Sequence, residues 1–346
     1  MRTWRRLLLG ALVLSTAAWA DTEVEQSCDA APDGHVRVKN VAGSVQVQTW
    51  DRNQVHVKGV LGEDVERLDF AGSGNRVTIE VVVRKLNGRK IDSDLTVSVP
   101  KGSSLEVETV SADARVTEVA GKIDAETVSG DLTVERAQGQ VHAESISGDV
   151  TVSADAPSAT VKTTSGDASV TGSIGAVRAE SVSGKVTVSG TLERLDVETI
   201  SGDIDVKGAV AEVKAESVSG DVSVDKALQQ AEASTVSGDI KASAERLRAA
   251  EFSTQSGRVD FTGDLTETGT LKVSTKSGEV TVRVPENVAA RFDVSTLSGR
   301  IQNEFGPAPQ RVDPHGPGWK LQFGPQNVSA SVTIESLSGG IRIGRK

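Results

Sequence analysis

Tyrosine is absent from this chain, cysteine occurs once, methionine occurs only at position 1, and aromatic residues make up 3% of it. A single cysteine, Cys28, excludes any disulfide within the chain. The expectation for it is a tolerated thiol in a mobile N-terminal stretch, rather than an intermolecular bridge or a reactive group. Beyond Trp4 and Trp19, only Trp50 and Trp319 remain, too few for the aromatic platforms that line sugar-acting clefts. The four histidines, His35, His56, His142 and His315, are scattered, with no pair at metal-ligand spacing and no HExxH; this speaks against a zinc hydrolase. No GxxxxGK[ST] phosphate loop occurs, and no segment shows helical periodicity over several turns. The apolar stretch Leu7 to Leu14 is too short to cross a bilayer, and no other segment could.

What the chain has instead is a beat. Ser-Gly-Asp occurs at 129–131, 147–149 and 165–167, Ser-Gly-Lys at 183–185, and Ser-Gly-Asp again at 201–203, 219–221 and 237–239, always eighteen residues apart. The beat then loosens through Ser256-Gly257, Ser277-Gly278, Ser298-Gly299 and Ser338-Gly339. A fixed short period means that each unit is one coil of a stacked array, since one coil alone cannot bury its apolar face. Apolar columns repeat with the beat at Leu132, Val150 and Ala168, at Val134, Val152 and Val170, at Ile123, Val141 and Ala159, and directly before the turn at Val128, Ile146, Val182, Ile200, Val218 and Val236. Spacing by two and β-branched residues make these strands. Glycine supplies either a positive φ or a close approach at the bend, and the neighbouring Asp or Ser can hydrogen-bond the turn backbone.

The expected fold is all-β: a single-chain parallel β-solenoid with coils of 18–21 residues and a thin Val/Ala core. About twelve coils at the strand spacing would make a rod on the order of 60 Å long. Parallel crossovers are mostly right-handed, which leans the solenoid to that hand.

The first twenty residues have a different character. Arg2, Arg5 and Arg6, the apolar stretch and Ala18-Trp19-Ala20 form a signal peptide, residues 1–20, with Asp21 as the mature start. Export to the periplasm or cell surface follows, with no transmembrane anchor. Without those three arginines the formal charge of −10 becomes −13, which disfavours nucleic acid and anionic lipid as partners. Residues 21–105 alternate like β-strands without the tight beat and read as wider opening coils that cap the stack. A basic stretch, 84–90, and Pro100-Lys101-Gly102 lie within them. Residues 106–346 hold the repeats, with a Pro/Gly-rich insertion at 303–326 and a C-terminal cap; an open solenoid end would expose unpaired strand groups.

Trp50-Asp51 after alternating strands, "VSVPKG" before the repeats, iterated "TVSGDI"-type turns and a terminal "SLSGGIRI" together resemble the bacterial adhesin-type family of β-strand-repeat proteins, domain-of-unknown-function family 4097. The resemblance covers nearly all of the mature chain. It implies a β-helical, exported or envelope-associated protein with no established enzymatic activity, some relatives being tied to envelope-stress responses, and it brings no functional residues with it.

Two site candidates stand out. Asp131, Asp149, Asp167, Asp203, Asp221 and Asp239 form a column, with Glu126, Glu144, Glu180, Glu198 and Glu216 in a second. Stacked carboxylates about 5 Å apart cost each other about 0.9 kcal/mol in water. Lys162 and Lys185 fall where they would relieve that repulsion. Such columns are either a Ca²⁺ ladder or turn chemistry on a solvated acidic face. Phe305, His315, Trp319 and Phe323 gather in the proline-rich insertion, as a recognition loop or as a cap on the last coil. The functional expectation is a non-enzymatic, monomeric interaction or structural protein that binds a cell-envelope component or another envelope protein. The alternatives are an accessory of envelope-stress signalling, a filament built by end-to-end stacking and, least favoured, a polysaccharide-active enzyme.

Overall fold

A computed structural model describes residues 22–84 and 90–346, so the stretch expected to be a signal peptide and most of the basic stretch lie outside the described residues. The fold is all-β: every regular element among the described residues is a strand. Parallel pairing follows the sequence beat. Ala168 pairs with Val186, Val186 with Ile204, Ile204 with Val222 and Val222 with Ile240, so each step of eighteen residues climbs one layer of a solenoid-like stack. Alternate residues point inward: Val150, Val152, Val161, Val170, Ala179 and Val197 are fully buried. Successive layers bring like residues together, which is why small and β-branched side chains recur at fixed columns.

The Ser-Gly-Asp turn is held by three ladders. Asp149 Oδ1 accepts from the backbone N–H of Asp167 at 2.8 Å, Asp131 from Asp149 at 2.9 Å, and Asp221 from Asp239 at 2.8 Å. Each carboxylate therefore clasps the next coil rather than its own turn. Below it runs a buried hydroxyl column that the beat also encodes, at Thr127, Ser145, Thr163, Ser217 and Thr235. Thr163 Oγ1 accepts from Gly166 N at 3.0 Å and donates to the Gly148 carbonyl one coil away at 3.4 Å. The third ladder is the glycines. From Gly130 to Gly257 they take no positive φ, Gly278 at 153° being the exception; of the two roles expected for them, the close approach is the one observed throughout. A Cβ on Gly148 would lie 2.0 Å from the Gly130 carbonyl oxygen, and one on Gly166 2.1 Å from that of Gly148.

Positive φ belongs to a different corner. Gly172, Gly190 and Gly208 adopt 136°, 124° and 131°, and the same corner in other coils is held by Arg136, Lys226 and Arg246 at 52°, 57° and 58°. A side chain in this region costs about 1–3 kcal/mol. Arg246→Gly should therefore raise stability by about 1 kcal/mol, the gain being trimmed by the greater freedom of glycine in the unfolded chain. A urea midpoint that does not rise would contradict this reading of the corner.

At both ends the stack departs from sequence order. Val36 lies between Val77 and Leu105, and Val45 between Leu95 and Ala114. The first strand, Thr22–Trp50, is thus an inner layer, with Val65–Val83 and Asp92–Pro100 outside it. Near the C-terminus Val332 lies between Leu271 and Phe292, so the next-to-last strand, Ser331–Ser338, inserts between Val259–Ser277 and Arg291–Ser298, and the last, Ile341–Arg345, lies between Val280–Val284 and Ile301–Asn303. Antiparallel strands then close each end: Gln54–Leu61 against Asp92–Pro100, and Trp319–Phe323 against Arg291–Ser298. The insertion at 303–326 is therefore more than an interruption of coils laid down in order. Cys28 is corrected as well. It sits in a strand paired with Val55, half-buried rather than in a mobile stretch. Burial, with Asp29 adding to it, pushes its thiol pKa up and away from thiolate reactivity.

Candidate functional site: an aliphatic column between acidic rails

The apolar column directly before the turn does not join the core. Val110, Val128, Ile146, Val182, Ile200, Val218 and Val236 are 39–51% exposed, while the hydroxyl residue just before each is buried. The chain alternates Glu-out, Thr-in, Val-out and then enters the turn, so the side chain before the bend is left on the outer corner. Thr164 takes the column's place in one coil, and Gln255 and Lys276 end its run. Three hollows of about 400, 580 and 820 Å³ lie along this corner, floored by the buried hydroxyl column.

Acid flanks the column on both sides. Two residues earlier stand Glu108, Glu126, Glu144, Glu180, Glu198 and Glu216, stacked in register except where Lys162 intervenes. Three residues later, around the turn, stand the aspartates. Some of these charges are compensated. Lys39 meets Glu108 at 2.7 Å, and Lys214 meets Glu216 at 3.1 Å. Hydrogen bonds from Arg178 and Lys162 hold the Glu180 carboxyl below the ordinary carboxylate range. Among the described residues, Glu126, Asp131, Asp149 and Asp167 have no basic side chain within ion-pair distance, and Glu144 has only His142 at 3.7 Å.

The C-terminal aromatic group is divided by the structure. Phe305 and Phe323 cap the last layer: Phe323 stacks on buried Phe292 with centroids 4.4 Å apart and planes 7° from parallel, and Phe305 lies 6.1 Å from both. Trp319, on the same face of its strand four residues before Phe323, packs on the core away from that stack. It lines the largest hollow with Val312, Leu297 and Leu337, under the Arg311 guanidinium at 4.8 Å. His315 is exposed on the loop, its backbone N–H donating to Asp313 at 2.9 Å, and it joins neither group. The aspartates, read as either a Ca²⁺ ladder or turn chemistry, spend Oδ1 on the backbone N–H of the next coil's turn. The histidine-containing cluster that the stack assembles is Asp124, Glu126 and His142, whose ligand atoms lie within 4.8 Å of one another. Sequence reading missed it because it sought ligands a few residues apart. The signal was there all the same, since His142 follows Asp124 by one coil.

Solved structures similar to the chain include a cell-adhesion candidate from Clostridium sporogenes (10% identity, 94% of this chain and 100% of that one, TM-score 0.20). An adhesin candidate from Bacteroides fragilis shares 10% identity over 94% and 98% of the two chains, with a TM-score of 0.24. Another from Parabacteroides distasonis shares 14% over 95% and 98%, with a TM-score of 0.28. Among curated proteins none matches the chain. The family assignment is firmer, for one profile fits the sequence twice and leaves almost none of the described chain uncovered: with matches at residues 30–174 and 173–344, this protein belongs to the Toastrack DUF4097 family.

Proposed function

We propose that the chain is an exported, non-enzymatic, monomeric β-solenoid of 18–21-residue coils, right-handed, that works at the cell envelope as an adhesin-like interaction protein. Its parts are a leader at 1–20, a capping unit at 21–105 and the repeat unit at 106–346. The observation that carries this reading is the exposed aliphatic column. Core packing gives no reason for valine or isoleucine at seven of eight successive outer corners, and contiguous exposed apolar surface on this scale marks an interaction site. A repeated surface also suits a binding module better than a reaction centre, because it singles out no residue as nucleophile or base. The partner is an envelope component or another envelope protein.

Co-sedimentation of residues 21–346 with outer membrane, inner membrane and purified peptidoglycan tests the proposal. Salt-resistant pelleting with one fraction is expected, and an Ile146→Ser/Ile200→Ser variant should pellet less than half as well, since each half-exposed side chain contributes about 1 kcal/mol of further apolar burial in a contact. If the chain stays in the supernatant with all three fractions, the envelope-binding reading fails.

A further inference from the structure

We propose that the aliphatic column and its two acidic rails form a cradle for a cationic amphipathic helix lying along the rod. This rests on the interaction reading above and names the chemistry of the partner.

The arrangement of the three columns selects the occupant. Val128 and Ile146 stand exposed in the middle, Glu126 and Glu144 two residues to one side, and Asp131 and Asp149 three residues to the other. An extended strand alternates its side chains left and right, and would offer one apolar and one basic edge. An amphipathic helix offers a single apolar stripe with basic side chains on both flanks, which is the complement of this surface. The spacings also agree. Successive coils rise by about 4.8 Å and successive helical turns by about 5.4 Å, so one apolar side chain per turn stays near the gaps between successive corners for several turns.

Charge excludes two other occupants. A second copy of the chain laid column to column would press acidic rails against acidic rails, and the same rails repel an anionic lipid surface. They therefore keep an exposed aliphatic stripe from pairing with itself while leaving it open to a cation-bearing partner. The two lysines within the rails do not reverse this, because Lys162 is held by Glu180 at 3.1 Å and Lys185 by Asp205 at 3.5 Å.

The test uses the mature chain and a fluorescently labelled Leu/Lys helix of about 18 residues, about 27 Å long, read by anisotropy at moderate salt. The comparison peptide has the same composition with its leucines scattered around the helix. The patterned peptide should bind at least about tenfold more tightly than the scattered one. A Val128→Ser/Ile146→Ser variant and a Glu126→Gln/Glu144→Gln variant should each weaken it by about tenfold or more. Should the serine variant fold poorly, the glutamine pair carries the test, since it alters exposed charge without removing packing. Equal affinity for the two peptides, or variants that bind as wild type does, would overturn the proposal. So would a dimer in sedimentation that the serine variant converts to monomer, because a second copy would then own the stripe, and so would equal pelleting of the chain with zwitterionic vesicles. Pelleting with an envelope fraction in the absence of peptide binding sinks this inference alone and leaves the interaction reading standing.

Discussion

Phe292→Ala should loosen the C-terminal end of the stack by about 3–5 kcal/mol, the range for deleting a buried aromatic side chain. Phe292 is 1% exposed and stacks on Phe323 at 4.4 Å, with Phe305 at 6.1 Å. Its strand carries on one side the inserted strand Ser331–Ser338 and on the other the antiparallel strand Trp319–Phe323. Removing the ring leaves a cavity between two other aromatics that cannot collapse without moving both strands. Because a stack of coils opens from its ends, the loss will appear first as local opening. Amide hydrogen exchange in 331–343 should speed up by about 2–4 orders of magnitude, while amides near Val188 and Val206 keep their protection. Exchange unchanged at 331–343 would show that the aromatic stack does not hold the end closed.

The turn ladder makes the second large effect. Gly184→Ala places a Cβ 1.9 Å from the Gly166 carbonyl oxygen and 2.6 Å from its carbon. The obstruction is backbone, fixed by hydrogen bonds such as Ser183 N to the Thr164 carbonyl at 3.0 Å, so no rotamer change can relieve it. The coils must separate locally, at a cost of about 3 kcal/mol. Gly340→Ala is the matching control, because the nearest atom its Cβ would meet is the Arg300 carbonyl oxygen at 3.9 Å and the backbone there needs no positive φ. Thermal unfolding of the two variants side by side decides the matter. A drop for Gly184→Ala no larger than that for Gly340→Ala would remove close approach as the reason for the repeated glycine.

The same close approach explains why part of the site was legible in the sequence. A Ser-Gly-Asp every eighteen residues places identical turns directly over one another, and the period alone gave the layer pairing of Ala168, Val186 and Ile204. The acidic columns were legible for the same reason, because a column is a residue type plus a period. The function of the aspartates was harder to read. A carboxylate that clasps the next coil looks, in sequence, like one free to bind a cation. The exposed aliphatic column was harder still: period and residue type are the same for an inner and an outer valine. Only the phase of the bend sends Thr127 inward and Val128 outward.

Sequence by itself determined the all-β class, the repeat length and the register of the regular layers, since these depend on contacts between residues one period apart. The order of layers at the two ends depends on contacts between residues with no periodic relation: Val36 with Val77, Leu271 with Val332, Phe292 with Phe323. Tertiary structure alone decided that both terminal strands lie inside the stack, that Trp319 parts from Phe305 and Phe323, and that the valines before the turn face solvent. Each of these outcomes minimises exposed strand edge and apolar area over the whole molecule, a balance that no local pattern records.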